Sequence, residues 1–185
     1  VIGGWDTERV AFALRGQVVV CGLIIVGEEI QTTSGERVGL YLRTPIKPGL
    51  SPLETVKQIK EQGGFVYIPH PFETVRKGLH TDVLEELADH IDIVEVCNGR
   101  AFLQNKHAKS AIFAKLHQIR GAASSDAHGI RGLGKTYTAT KEIPDQLTLL
   151  GLVATGTPIA SRPTARALLY PKYHRLRKRL VRSRA

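Results

Sequence analysis

The sequence contains no methionine, not even at position 1, and it opens on Val-Ile-Gly-Gly. We therefore expect the chain to be a piece of a longer protein that lacks an N-terminal portion. The sequence also lacks any apolar run near the ~20 residues that a transmembrane helix needs, since its longest covers residues 18–26. The first residues show no basic start followed by an apolar core. We predict neither a membrane span nor a secretory signal.

Cysteine is scarce, and the two present, Cys21 and Cys97, lie inside apolar, strand-like runs. A disulfide between them is one interpretation, but two buried thiols in a reducing compartment fit this placement better. We therefore predict a cytoplasmic protein. The sequence shows no CxxC zinc pattern, no Gly-rich phosphate loop and no nucleophile elbow. The sequence therefore gives no indication of a CxxC zinc site, of a phosphate-binding loop or of a hydrolase that uses a nucleophile elbow.

The net charge of +9 is concentrated at the C-terminus. Residues 161–185 hold nine Lys and Arg and no Asp or Glu. Removing these nine from the 26 basic residues leaves 17, equal to the 17 acidic ones. We predict two parts: a neutral domain over residues 1–160 and a basic, helical tail over residues 161–185.

Apolar strands and amphipathic helices alternate along the neutral domain, which predicts an α/β fold. The best-marked helix has Ser51 as its N-cap, Pro52 at its first position, Glu54 completing a capping box and Gly63-Gly64 ending it. Because the strands are apolar throughout, they suit a parallel sheet, either open or closed into a barrel. Strands are predicted over residues 18–27, 37–42, 65–69, 92–98, 121–125, 135–140 and 158–161, and further helices over residues 81–90, 103–118 and 144–154.

Polar residues of the kinds that bind metals recur just beyond the predicted strands: Glu29, His70, Asn98, and then Asp126 with His128. In an α/β barrel, chemistry is concentrated at the C-terminal ends of the strands. We therefore expect these side chains to share one site.

Asp126 and His128 form the clearest pair, because residues two apart in extended backbone point the same way and both could reach one ion. His70 is flanked by two prolines that fix the backbone around it. Whether Glu28 or Glu29 faces the site depends on the strand register. A carboxylate there needs a partner, since burying it alone is costly.

Several basic residues could hold a phosphate group. Arg100 offers a planar donor fork close to Asn98, and Arg76 and Arg131 follow the other strand ends. A surface position is an equal alternative for each of them, and Asn98 would either hydrogen-bond a metal ligand or start a turn. The other five histidines are expected at the surface or at helix ends: His80, His90, His107, His117 and His174.

Four segments in this order resemble the PHP (polymerase and histidinol phosphatase) family: VGEEIQT, GGFVYIPHPFE, VEVCNGR and SSDAHG. The resemblance runs from about residue 18 to residue 160. It implies the C-terminal portion of a distorted barrel of seven βα units. It also implies hydrolysis of phosphate esters with two or three divalent ions, commonly zinc, manganese or iron.

On this resemblance, Glu29, His70, Asp126 and His128 are the metal ligands. The HxH motif that opens the family and the Asp-His pair on its second strand do not occur in the sequence. We therefore expect the first strands of the barrel, and with them the first ligands, to lie upstream. Residues 30–69 also lack the histidine that the family often has between the glutamate and the HP motif.

The resulting prediction is an enzyme that hydrolyses a phosphomonoester, or a nucleotide or oligonucleotide phosphodiester, by metal-activated hydroxide. We expect little activity from these 185 residues alone. One alternative is a nucleic-acid-binding module, because the basic tail carries tyrosines among its arginines and lysines. The other alternative is a PHP scaffold without catalysis. Substrate, metal identity and oligomeric state stay open.

Overall fold

A computed structural model of the chain describes residues 2–3, 25–73, 81–101, 106–127 and 132–161, together with Leu169 and Tyr173. In these residues the strands are β1 (Ile2–Gly3), β2 (Ile25–Thr32), β3 (Gly35–Leu40), β4 (Phe65–Ile68), β5 (Ile93–Asn98), β6 (Arg120–Ser124), β7 (Tyr137–Ala139) and β8 (Thr157–Ile159). The α-helices are α1 (Pro52–Glu61), α2 (Thr81–Glu86), α3 (His107–Leu116) and α4 (Leu149–Thr155), and a 3-10 turn covers Ala88–His90.

The main sheet is mixed, with the strand order β1-β2-β3-β4-β5-β6. β1 and β2 are parallel, as are β4, β5 and β6, but β3 runs antiparallel to both of its neighbours. The prediction of an all-parallel sheet is therefore wrong. The cause is the connection between β2 and β3, where only Thr33 and Ser34 lie between the strands. A connection this short can join only antiparallel strands.

The sheet is open in the part of the chain that the structure describes, with β1 and β6 at its edges. β7 and β8 pair with each other in a separate antiparallel sheet. The fold is thus mixed α/β, and the closed barrel stays a prediction.

One face of the main sheet carries the larger core. Ile30, Val66 and Val94 lie on this face and are buried. Ile59 of α1 and Phe113 of α3 pack into the same cluster. These helices therefore cover the face that is turned away from the candidate site.

The opposite face carries a smaller core and a cavity. Val38, Tyr67 and Ile93 lie level with one another across β3, β4 and β5. Leu149 and Val153 of α4 pack against them. A cavity of about 580 Å³ is lined by these side chains and by the residues at the strand ends. This face therefore positions the site.

The capping pattern predicted helix α1 correctly. The Ser51 hydroxyl accepts a hydrogen bond from the Glu54 N–H at 3.2 Å, and Pro52 begins the helix. At its end, Gly63 donates to the Lys60 carbonyl and Gly64 to the Ile59 carbonyl, the Schellman pattern. This turn leads directly into β4, the strand that carries His70.

The predicted tail, residues 161–185, lies almost wholly outside the described residues. Leu169 and Tyr173 are the exceptions beyond Ser161, and both are helical and exposed. Among the described residues, no helix has the length and apolar character to cross a bilayer.

Candidate metal centre

The site lies where neighbouring strands end at the same edge of the sheet. Because β4, β5 and β6 are parallel, the residues that follow them lie close together. His70 lies two residues beyond β4, Asn98 is the last residue of β5, and Asp126 lies two residues beyond β6. His70 and Asp126 line the cavity, as does Glu29.

Glu29 lies inside β2 rather than beyond the end of a strand, so that part of the prediction is wrong. The strand covers Ile25–Thr32, and Glu29 pairs with Val38 in the register of the hairpin. Its side chain therefore points to the cavity face, as Val38 does. Glu28 points to the other face, where its carboxylate accepts the Ile46 N–H at 3.0 Å.

Glu29, Glu36 and His70 bring three ligand-type side chains together, and we call them the Glu–Glu–His cluster. The Nε2 atom of His70 lies 3.7 Å from Glu29 Oε1 and 3.7 Å from Glu36 Oε2. All three ligand atoms lie within 4.8 Å of one another. The His70 side chain is 5% exposed, Glu36 25% and Glu29 54%. One divalent cation could therefore contact all three side chains.

Glu36 is absent from the predicted ligand set, although the sequence carries a signal for it. Once Thr33 and Ser34 are taken as the turn, Gln31 pairs with Glu36 and Glu29 with Val38. Glu29 and Glu36 then lie on one face as diagonal neighbours, at the range where long side chains meet. Glu36 also lies in the stretch where the family often has a histidine.

His70 has an unusual backbone conformation for a residue with a side chain. Its φ is 30°, and that of Phe72 is 66°. Non-glycine residues with positive φ are uncommon and cluster at functional sites. The His70 N–H donates to Glu95 Oε2 at 2.6 Å. The backbone is thus fixed at the point where the imidazole enters the cluster.

Glu95 lies next to the cluster and was not predicted as a site residue. It occupies the middle of the apolar strand β5 and is 3% exposed. Its carboxylate accepts hydrogen bonds from Tyr67, Ser124 and Asn98 as well as from the His70 N–H. Burial raises the pKa of Glu95, and the hydrogen bonds from Ser124, Asn98 and the His70 N–H oppose that rise.

Asp126 joins the site through Asn98. The Asn98 side-chain N–H₂ donates to Asp126 Oδ2 at 3.2 Å and to Glu95 Oε2 at 2.8 Å. Asp126 also has a positive φ, of 44°. Asn98 therefore hydrogen-bonds a predicted ligand, and it also forms a turn, because its Oδ1 accepts the Arg100 N–H at 2.7 Å. Both alternatives that the sequence left open for Asn98 are present.

Three of the predicted site residues lie outside the described residues: His128, Arg76 and Arg131. Arg100 is half-buried in the turn after β5. His107 begins α3, as expected for a helix-end residue, and its Nε2 accepts the Asn98 N–H at 3.0 Å. This contact connects α3 to the end of β5.

The donor atoms suit a divalent cation. Two carboxylates and one imidazole converge in the Glu–Glu–His cluster, and Asp126 adds a carboxylate to the same cavity. Mixed oxygen and nitrogen donors of this kind bind Zn²⁺, Mn²⁺ and Fe²⁺. The residues present therefore fit a metal site, whose identity the geometry leaves open.

Comparison with known proteins places the chain among PHP-type sequences. Residues 104–156 match the PHP-associated family model. The chain is 36% identical over 131 residues to the uncharacterized protein MJ0417 of Methanocaldococcus jannaschii, covering 66% of this chain and 55% of the relative. A second protein of that organism, MJ1587, is 37% identical over 103 residues, covering 56% and 57%. The chain thus spans a little over half the length of these relatives.

Two solved structures share the fold. A two-domain Bacteroides vulgatus protein containing a predicted PHP-like metal-dependent phosphoesterase aligns with a TM-score of 0.57 at 17% identity, over 91% of this chain and 53% of that chain. PsfC from Pseudomonas syringae aligns with a TM-score of 0.58 at 17% identity, over 85% and 66%. At this identity, the likeness establishes the fold alone.

Proposed function

The chain belongs to the PHP family, and we propose that the protein containing it is a metal-dependent phosphoesterase. The observation that carries this proposal is the Glu–Glu–His cluster, in which three ligand atoms lie within 4.8 Å of one another. Glu29 and His70 of this cluster line the same cavity as Asp126. The fold of the Bacteroides vulgatus protein is consistent with this function.

We propose that Glu29, Glu36, His70 and Asp126 hold divalent ions, together with His128 from the Asp-x-His motif. The complete protein would bind two or three ions of zinc, manganese or iron. Such ions lower the pKa of a water molecule toward neutrality and offset the charge on a phosphoryl group. The protein's own part is to hold Glu29 and Glu36 in the β2–β3 hairpin and His70 and Asp126 just beyond the ends of β4 and β6.

The proposed substrate is a phosphomonoester, or a nucleotide or oligonucleotide phosphodiester. A cavity of about 580 Å³ lies within the range typical of small-molecule sites, ~300–1,000 Å³. Arg100 follows β5 at the same edge of the sheet as the cluster. With Arg76 and Arg131, it is proposed to bind the phosphate, because the guanidinium group matches phosphate geometry. Cys97 is a free, buried thiol, which supports the proposed cytoplasmic location.

The proposal is tested by hydrolysis of p-nitrophenyl phosphate and bis-p-nitrophenyl phosphate by the complete protein with Mn²⁺. We expect His70→Ala to abolish turnover and to lower the bound metal, measured by mass spectrometry. His90→Ala is the matched control, because His90 is exposed on the 3-10 turn. Turnover that survives in His70→Ala would contradict the proposal.

The alternative of a scaffold without catalysis makes a different prediction in the same experiment. A scaffold would bind Mn²⁺ in a His70-dependent way but would hydrolyse neither ester. Metal binding and turnover must therefore be measured on the same preparations.

A further inference from the structure

The carboxylate of Glu95 accepts four hydrogen bonds from described residues. It is buried in an apolar strand, where an unpaired charge would be costly. A carboxylate offers about four lone-pair positions. Four donors reach it, from β4, the loop after β4, the end of β5 and the end of β6.

The two oxygens of Glu95 contact different parts of the protein. Oε1 accepts the Tyr67 hydroxyl at 3.1 Å and the Ser124 hydroxyl, so it contacts the two strands that flank β5. Oε2 accepts the His70 N–H at 2.6 Å and the Asn98 amide at 2.8 Å. One oxygen is thus fixed by the sheet, while the other contacts the loops that carry predicted metal ligands.

Oε2 reaches two of those ligands by short paths. It accepts directly from the backbone of His70, which has a positive φ. It reaches Asp126 through Asn98, whose amide nitrogen donates to both carboxylates. Asp126 also has a positive φ. One oxygen atom thus contacts, directly or through Asn98, two loops whose non-glycine residues have conformations that are uncommon and costly.

We propose that Glu95 is a positioning residue that fixes the spacing between His70 and Asp126 in the metal centre. It acts through hydrogen bonds to their loops and is not itself assigned as a ligand. This inference rests on the proposed metal-dependent function. Groups that orient metal ligands typically change metal affinity by roughly 10- to 100-fold when they are mutated.

Glu95→Gln is the first test variant, because it keeps the shape of the side chain. Four donors would then face an amide, whose N–H₂ group cannot accept a hydrogen bond. Asn98→Ala is the second variant. It leaves the Glu95 carboxylate in place and breaks the connection to Asp126, by removing the Asn98 amide that donates to both carboxylates and accepts the Arg100 N–H. If Glu95→Gln fails to fold, Asn98→Ala still decides the proposal.

Asp92→Asn is the matched control for the carboxylate-to-amide change. Asp92 directly precedes β5, and its carboxylate accepts the Val66 backbone N–H at 2.7 Å, much as Glu95 accepts that of His70. It lies at the opposite end of the strand from the cluster. The same oxygen also pairs with Lys60. This control therefore separates loss of a partly buried carboxylate acceptor from loss of ligand positioning.

The complete protein is measured in three ways: Mn²⁺ affinity by calorimetry, the absorption spectrum of bound Co²⁺, and thermal unfolding of the metal-free form. We expect Glu95→Gln and Asn98→Ala to weaken Mn²⁺ binding by roughly 10- to 100-fold. Both should alter the Co²⁺ spectrum, which reports ligand geometry. Asp92→Asn should lower only the unfolding temperature.

If all three variants bind Mn²⁺ as tightly as the unmodified protein and give the same Co²⁺ spectrum, the positioning role is overturned and the proposed function stands. An equal loss of affinity in Asp92→Asn would also overturn it. Absence of Mn²⁺ and Co²⁺ binding in the unmodified protein would overturn both.

Discussion

Glu28 and Glu29 are adjacent in sequence and lie on opposite faces of β2, so the same substitution at each should have different effects. Glu29 belongs to the Glu–Glu–His cluster, whereas the Glu28 carboxylate accepts the Ile46 N–H on the other face. We predict that Glu29→Gln weakens metal binding and that Glu28→Gln leaves it unchanged.

The size of the Glu29 effect follows from charge and exposure. Two unit charges 4 Å apart interact by ~4 kcal/mol at an effective dielectric constant of about 20, and a divalent ion doubles the charge. The Glu29 side chain is 54% exposed, so solvent screening reduces this energy. We expect a loss of about 2.7 kcal/mol, which corresponds to roughly 100-fold in metal affinity.

Thermal unfolding of the complete protein with and without Mn²⁺ measures this loss. At a Mn²⁺ concentration 100 times the unmodified protein's Kd, the ion stabilises the fold by about 2.7 kcal/mol. After a roughly 100-fold loss of affinity, the same concentration would contribute only about 0.4 kcal/mol. Glu28→Gln should keep the full Mn²⁺ effect and lower the metal-free stability by about 1 kcal/mol, because a neutral acceptor replaces a charged one. The reasoning is refuted if both variants lose the Mn²⁺ effect equally, or if Glu29→Gln keeps it.

Four further predictions concern other parts of the molecule. Gly64→Ala should destabilise the fold by about 1–3 kcal/mol in urea unfolding, because its new Cβ would lie 2.8 Å from the Leu40 carbonyl oxygen. Gly151→Ala, in helix α4, should instead stabilise the fold by about 1 kcal/mol, because a Cβ there would meet nothing within 4 Å. If both substitutions change the unfolding free energy in the same direction, the reasoning is wrong. Hydrogen bonds from Thr148 and Leu147 lower the pKa of Asp145. The Asp145 carboxylate therefore stabilises the folded protein at pH values above the ordinary aspartate pKa of ~3.9. This stabilisation is lost as the pH falls through the lower pKa that Asp145 has in the folded protein. An NMR titration of its carboxyl carbon with a midpoint at or above ~3.9 would refute this. Deleting residues 171–185 should weaken DNA binding and flatten its salt dependence, and unchanged binding at stated salt would remove the nucleic-acid proposal.

Local sequence patterns predicted those elements whose causes are local. Helix α1 was predicted from its cap and its glycine end because Ser51, Glu54 and Gly63 act within a few residues of one another. His70 was placed just beyond β4 for a similar reason, since the strand and the prolines adjoin it. The direction of β3 follows from the two-residue connection at Thr33 and Ser34, whereas the predicted strands ended at residue 27 and began again only at residue 37.

Glu36 shows how an error in the start of a strand hides a site residue. With the strand predicted to begin at residue 37, Glu36 falls in the preceding connection and has no defined neighbour across the sheet. With the hairpin register, it lies diagonally opposite Glu29 and reaches His70. The position of the turn and the alternation of side chains along the strand together place Glu36 on the same face as Glu29. Neither pattern does so until the two strands are paired.

Glu95 was missed for a different physical reason. Its hydrogen-bond donors Tyr67 and Ser124 lie 28 and 29 residues away along the chain, so no local pattern connects them. The available signal was the residue itself, a carboxylate between Val94 and Val96 in an apolar strand. A charge in that position must be paired or hydrogen-bonded, because the strand buries it. Such a residue within a buried parallel strand, close to polar strand-end residues, indicates a hydrogen-bond network that supports them. That argument would have directed attention to Glu95 before any contact was known.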